Sequence, residues 1–486
     1  MTVRVLLGVD IGTTSAKGAA FDLDGRLLAQ ESIAYEHRVP AAGWAEADAD
    51  SWWDAVRRIL GTLAAAAGGR VEAVGVTGQA PTLLAVDADG HPLAPAILWL
   101  DVRAEAEATA LAARMGPRAE EIGGNRLHAY YLGPKAVWLQ RHAPDVWART
   151  ATVLQSHSYP VLKLTGARVT DPSSAALCAP LYDARARAWS VEGAAAVGMD
   201  TARLPALRPA REVAGGVTAA AARETGLAPG TPVVVGGADF AASTLAAGVT
   251  EPGEACLMLG TSGNLIVPQV RPDFDTRLIN APHVGCDRYL ALGATLCGAV
   301  QEWFRSVFAR GVPFDTLDAE SGAVPAGAEG LRLLPYLQGE RTPLWDAGAR
   351  GAFVGLSLAH GRGHLYRAVL EGIALSLRHS LEVLRERGAR LDEVVAVNGG
   401  ARSALWRQIL CDALGAPLTY LPDGTGAPAG AALLAGLGVG ALADVTAAKA
   451  WRGRLVRHTP DPGRGAVYTA MLAERLALYP ALRRVA

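Results

Sequence analysis

Gly8-Val9-Asp10-Ile11-Gly12-Thr13-Thr14-Ser15-Ala16-Lys17, near the start of the chain, and Leu259-Gly260-Thr261-Ser262-Gly263-Asn264, in its second half, share one layout. Each follows an apolar run (Val3–Val9, Ala255–Leu259) with a turn of glycine and hydroxyl residues, and a second apolar run (Ala16–Phe21, Leu265–Val267) comes after it. Such runs read as strands and the small polar residues as the turn between them. Asp22-Leu23-Asp24-Gly25 then makes a tight turn into a third strand, Arg26–Ile33, and Arg288–Leu292 takes that place in the second half. A helix completes each unit. The first runs from about Asp50 to Ala66, with Asp48 or Asp50 as N-cap and Trp53, Val56, Leu60 and Leu63 at helical spacing; the second runs from Leu296 to Phe308. The repetition predicts a duplicated α/β layout whose two turns face one another across a cleft, where small-molecule sites tend to lie. The halves meet just after Asp239, with Ala241–Pro252 as the link, which gives domains 1–246 and 247–486. Leu204–Pro232 leads into a closing strand, Val233–Gly236.

The 486 residues suffice for two cores, and half of them are hydrophobic. A net charge of -1 argues against bulk electrostatic attachment to nucleic acid or to an anionic membrane. Five scattered cysteines form no CxxC and no Cys/His cluster, which fits a reducing, cytoplasmic setting and offers no thiolate metal site. Met1–Leu7 lacks the layout of a signal peptide, and Asp10 interrupts the apolar run. Gly424–Leu442 is uncharged, but its Gly and Ala content is too weakly apolar for a membrane span. It reads as a buried helix at close backbone distance.

The Gly12-Thr13-Thr14-Ser15 turn could cradle phosphate: glycine lets backbone approach closely, and hydroxyls and amides donate to phosphate oxygens. Asp10 at the strand end could hold Mg²⁺ directly or through water. Read alone, it fits an ordinary hairpin turn equally well. Gly260-Thr261 in the matching place strengthens the nucleotide reading. Neither turn has the GxxxxGK[ST] or helix-opening GxGxxG pattern. Val397-Asn398-Gly399-Gly400-Ala401-Arg402-Ser403 ends a third apolar strand, with a helix starting near Ser403 and Trp406, Ile409 and Leu410 turned inward. Its glycine pair would let a flat ring lie against the backbone, or would serve only as a tight strand-to-helix connection. In Gly236-Gly237-Ala238-Asp239 an acid follows two glycines at a strand end. It is a candidate general base for phosphoryl transfer, with helix capping as the alternative.

Together these pieces resemble the FGGY family of carbohydrate kinases. The diagnostic stretch is Gly351-Ala352-Phe353-Val354-Gly355-Leu356, followed by His364-Leu365 and Ala368-Val369-Leu370-Glu371. Gly339-Glu340-Arg341-Thr342-Pro343-Leu344-Trp345, Trp52-Trp53 after Glu46, Ile97-Leu98-Trp99 with Asp101 and Arg103, and Pro134–Leu139 are also family-like, whereas Leu132 departs from the N-terminal signature. The resemblance spans about Val5 to Leu442. It implies an actin-like ATPase (ribonuclease H-like) fold, duplicated, with an interdomain cleft, and a kinase using ATP and Mg²⁺. Carried over residue by residue, Asp10 matches the Mg²⁺-associated acid. Gly12, Thr13, Thr14, Ser15 and Lys17 match the first phosphate motif, and Gly260 and Thr261 the second. Gly399, Gly400 and Ser403 fall where the family holds adenosine. Asp239 matches the catalytic base and a second metal-side acid.

The substrate implied is a small sugar, polyol or aldonate, and a homodimer is compatible with the resemblance. Gln79, Ala80, Pro81, Trp99, Asp101 and Phe240 fall where the family lines its sugar pocket. Ile97-Leu98-Trp99 and Asn398–Gln408 are similar to xylulokinases; Asp10–Ser15 and Gly339–Gly355 are similar to gluconokinases. Xylulokinases usually carry Met-His-Gly where Ala80-Pro81-Thr82 stands, and Asn where Phe240 stands. Each buried polar group of the sugar left unpaired in this way costs on the order of 1–3 kcal/mol, which argues against D-xylulose itself. An aldonate would want a cation, and Arg103 and Arg126 are within the same region of sequence, Arg103 with a structural role as its alternative. His128, Tyr130 and Tyr131 fit either a pocket wall or packing under a loop. The apolar replacements leave a second reading open: a non-catalytic sugar or nucleotide sensor, or a filament former, of the same fold. Retention of both Asp10 and Asp239 weighs against it.

Overall fold

A computed structural model describes residues 3–67 and 70–483. Strands β1 (Arg4–Ile11), β2 (Ser15–Phe21) and β3 (Leu27–Ala34) form an antiparallel meander, helix α1 (Ala49–Ala67) follows, and β4 (Arg70–Gly78) returns parallel to β1. Beyond α2 (Leu132–His142) come β5 (Val213–Gly216), β6 (Pro232–Val234), β7 (Gly237–Ala238) and α3 (Asp239–Ala246). The sheet order is β5-β6-β4-β1-β2-β3, with β7 beside β4. Asp48 caps α1 by accepting the Asp50 N–H at 3.0 Å, and Trp52, Val56, Ile59, Leu60 and Leu63 form its buried stripe.

The second half repeats the plan: β8 (Gly253–Leu259), β9 (Ser262–Gln269), β10 (Ile279–Pro282), β11 (Tyr289–Leu296), α4 (Gly298–Phe308), α5 (Arg362–Glu386), β12 (Leu391–Val397), α6 (Ala404–Leu414), β13 (Leu418–Tyr420), α7 (Ala427–Gly438) and β14 (Val456–His458). Its order is β10-β11-β9-β8-β12-β13-β14. As in the first sheet, the leading strand lies between an antiparallel neighbour (β9) and a parallel one (β12). No helix among the described residues is long and apolar enough to cross a membrane.

Two expectations need correction. The third strand of the second half reaches Leu296, so its helix starts only at Gly298. Ala241–Pro252 is not a simple link, because α3 occupies it as far as Ala246.

The Gly424–Leu442 stretch does contain a buried helix, α7, and its seat lies in the first half. A Cβ added to Gly8 on β1 would lie 1.9 Å from the Pro428 carbonyl oxygen, one on Gly75 of β4 2.0 Å from that of Ala431, and one on Gly430 2.0 Å from that of Ala242 on α3. Only hydrogen at these positions lets α7 seat on β1, β4 and α3. The alternation of β1 serves this arrangement: Val5, Leu7 and Val9 join the core under α1, while Leu6 faces α7.

Candidate active site

Asp10 stands near the end of β1, in register with Thr77 of β4 on one side and Lys17 of β2 on the other. The Thr77 hydroxyl donates to the Asp10 carboxylate at 3.0 Å. β7 continues this line, with Gly237 opposite Thr77 and Ala238 opposite Gly78, so that Asp239 emerges from the same sheet end as the first residue of α3. Gly236 makes the approach possible. Its φ is +75°, and a Cβ there would lie 1.7 Å from the Val76 carbonyl oxygen. The Asp239 carboxylate accepts its neighbour Phe240's N–H at 2.6 Å.

Both acids are half-buried. Burial pushes Asp10 up to about 6, against the pull of the Thr77 hydroxyl and the Lys17 charge. Asp239 is likewise raised, well above the usual carboxylate range, by burial and then by the negative charge of Asp10, with the Phe240 N–H only partly offsetting this. The two carboxylates therefore share one electrostatic site and cannot both be ionised cheaply without a cation. Hard oxygen donors in that state suit Mg²⁺, so Asp10 and Asp239 could hold it.

The turn after β1 is closed by the Gly12 N–H donating to the Ser15 carbonyl at 3.0 Å and by the Tyr35 hydroxyl donating to the Gly12 carbonyl at 2.6 Å. Thr14 is exposed, Gly12 and Ser15 are half-buried, and Lys17 is exposed beside Asp10. Thr13 is engaged otherwise. Its hydroxyl accepts the Trp99 indole N–H at 3.0 Å and contacts the Gln79 amide oxygen at 3.4 Å. It ties the phosphate turn to the sugar-side residues.

In the second half Gly260 and Thr261 are exposed, and their carbonyls accept the N–H groups of Gly298 and Cys297 at the start of α4. β12 runs beside β8 with Met258 opposite Val397, so Asn398-Gly399 emerges next to Gly260. Asn398 has a φ of +74° and Gly399 borders open space, whereas Gly400 is packed on Leu259 and Trp406. Ser403 caps α6, its hydroxyl accepting the Trp406 N–H at 3.1 Å. Gly426, just before α7, lies against Asn398 and Ser243 of α3. The two helices that cross between the halves thus begin beside the acids and beside the Asn398 turn.

Gln79 is buried, with its amide directed to the Gly12 carbonyl at 3.5 Å. Ala80, Pro81 and Phe240 are buried, and Trp99 is half-buried. Asp101 is a correction: it does not line the cleft. It is fully buried, accepts the Ala45 N–H at 2.6 Å and pairs with Arg103 at 2.7 Å, and Arg103 also bridges to Glu46 at 2.8 Å. The Arg103 guanidinium is packed over Trp44 and Trp138, and Lys135 of α2 donates to the Leu98 carbonyl at 2.6 Å. This cluster fixes the loop that carries Trp99. Arg126 is exposed.

Tyr130 is a pocket-side residue, donating its hydroxyl to the Ala80 carbonyl at 3.2 Å and lying edge-on to Trp99. Arg341 from the second half completes the wall, its guanidinium 5.4 Å from the Trp99 ring centre and 5.6 Å from that of Tyr130. Sequence reasoning assigns no role to Thr77 or to Arg341. Thr77 carries no local motif, and the Gly339–Trp345 stretch gives no sign that it reaches the opposite half.

The model of the FGGY family of carbohydrate kinases, N-terminal domain, matches residues 5–246, and that of the C-terminal domain matches residues 255–439. The chain is 31% identical over 444 residues to the xylulose kinase of Bacillus subtilis (strain 168), covering 90% of this chain and 89% of that one. It superposes with a TM-score of 0.91 on the crystal structure of xylulose kinase from Rhodospirillum rubrum, at 34% identity and 99% coverage of both chains. On gluconate kinase from Lactobacillus acidophilus the TM-score is 0.94 at 25% identity, covering 99% of this chain and 98% of that one.

Proposed function

The chain belongs to the FGGY family of carbohydrate kinases and is an ATP-dependent sugar kinase, and from that premise we propose that Asp239 is its general base and that its substrate is a ketose or polyol close to xylulose. The observation that carries the first point is the shared electrostatic site of Asp10 and Asp239 at one sheet end. A hydroxyl lying between Tyr130, Trp99 and Asp239 would give its proton to the Asp239 carboxylate as its oxygen bonds to the γ-phosphorus. The bond from that phosphorus to the bridging oxygen of ADP then breaks. Asp10 and Asp239 would hold Mg²⁺, which supplies charge neutralisation for the phosphates when bound. Thr14, Ser15 and Lys17 on one side and Gly260, Thr261, Gly399 and Gly400 on the other are the proposed nucleotide contacts. Thr13 acts through Trp99 and Gln79, and Ser403 through the start of α6.

The names and identities of the curated relatives support the xylulose-like substrate. Ala80, Pro81 and Phe240 offer no side-chain donor, so selection among sugars falls on Gln79, Trp99, Tyr130 and Asp239. We place the protein in the cytoplasm, in keeping with its five free cysteines.

The test is ADP release with Mg²⁺-ATP over a panel of pentuloses, pentitols, hexoses and aldonates. Release that depends on a pentulose or pentitol, with the phosphorylated sugar recovered, is the expected result. Release only with an aldonate would replace the substrate assignment, and release with no sugar at all would overturn it.

A further inference from the structure

We propose that Arg341 is a sugar-binding residue, contributed by the C-terminal half to a pocket otherwise built by the N-terminal half; this rests on the sugar-kinase reading of that pocket. Three observations meet at this residue. First, its guanidinium faces both aromatic walls, Trp99 and Tyr130, across the boundary between the halves. Second, it is half-buried, and among the described residues its guanidinium has neither a carboxylate within ion-pair distance nor a hydrogen-bond acceptor. The neighbouring buried arginines differ: Arg103 has Asp101 and Glu46, and Arg475 has the Gly372 carbonyl and the Tyr336 hydroxyl. Five N–H donors without acceptors, held beside two aromatic rings, are suited to an oxygen-rich ligand.

Third, the segment that carries it is held in place. The Thr342 hydroxyl exchanges hydrogen bonds with both backbone groups of Ala294 on β11, at 2.5 and 3.0 Å. The buried Glu340 carboxylate accepts the Thr295 hydroxyl at 2.9 Å and the Arg341 N–H at 3.0 Å. The Trp345 N–H donates to the Arg341 carbonyl, and Trp345 in turn packs against His128 of the first half. The backbone of Arg341 is therefore fixed beside the second sheet while its head group lies over Trp99 and Tyr130 of the first half.

The charges of Arg341 and of Asp239 both act on the Tyr130 hydroxyl, with opposite sign. The ligand class is a polyhydroxyl compound presenting adjacent oxygens to the guanidinium. Its donors stand in for those missing at Ala80, Pro81 and Phe240. Because donor and aromatic wall belong to different halves, sugar bound between them also draws the halves together.

The experiment uses the full chain and its best sugar from the panel, with Arg341→Ala and Arg341→Gln, and reads the KM for sugar, the KM for ATP and the thermal midpoint without ligand. The expected result is a sugar KM raised about 10- to 100-fold, as for removal of a charged hydrogen bond, with the ATP KM and the midpoint unchanged. In a series of monodeoxy analogues, one missing hydroxyl should be penalised in the wild type and not in Arg341→Ala. An unchanged sugar KM, or sugar and ATP constants rising together with a lowered midpoint, would overturn the assignment and leave Arg341 a packing residue. A wild type inactive on every sugar would instead remove the reading on which it stands.

Discussion

Without a cation, Asp10 holds its proton up to about pH 6, because burial outweighs the Thr77 hydroxyl and Lys17. A protonated carboxyl is a poor ligand, so proton and Mg²⁺ compete for it. The Mg²⁺ concentration giving half-maximal rate should therefore rise as pH falls, most steeply below about pH 6, by about tenfold per pH unit for each displaced proton. Asp10→Asn should need more Mg²⁺ at every pH and lose the part of this dependence that belongs to Asp10, keeping that of Asp239; a flat wild-type profile would separate Asp10 from the metal. Residue chemistry of this kind is legible where an acid follows an apolar run and glycines, as at Asp10 and Asp239. It is not legible at Asp101, which has the same residue type near the same motifs. What distinguishes Asp101 is Arg103 and the Ala45 N–H, partners that only the folded chain brings to it. Thr77 and Arg341 escape for the same reason, since each acts on a residue far away in sequence.

At the scale of elements, α7 governs the site from beneath. Its weakly apolar, glycine- and alanine-rich sequence marks it as a helix at close backbone distance, and its boundaries fall within the expected stretch. Sequence could not say that its seat is the sheet of the other half. Gly75→Ala tests that seat. The added methyl would lie 2.0 Å from the Ala431 carbonyl oxygen, and overpacking of this kind costs about 1–3 kcal/mol or more because backbone has to move. The urea midpoint should fall accordingly. The KM for ATP should rise as well, because the residue leading into α7, Gly426, is close enough to Asn398 that an added Cβ would lie 3.3 Å from its side-chain oxygen. Loss of stability with an unaltered ATP KM would mean that α7 does not position the nucleotide turn.

At the scale of the molecule, two sheets, each with its leading strand between one antiparallel and one parallel neighbour, are joined by exchanged helices and by a second set of contacts distant from them in sequence. There Asn125 and Asn280 hold one another: the Asn125 amide donates to the Asn280 carbonyl at 2.8 Å, and the Asn280 N–H donates to the Asn125 side chain at 2.7 Å. The duplication is legible because strand, turn and strand are local patterns that recur. The exchange and the asparagine pair are not, since both depend on contacts across more than a hundred residues. The most direct test of Asp239 as the general base is the sugar-dependent rate of Asp239→Asn at saturating Mg²⁺-ATP and sugar, with ATP binding followed separately. We predict a kcat lower by about 10²- to 10⁴-fold, the contribution of a positioned general base, with ATP affinity retained. A rate near that of the wild type would contradict it.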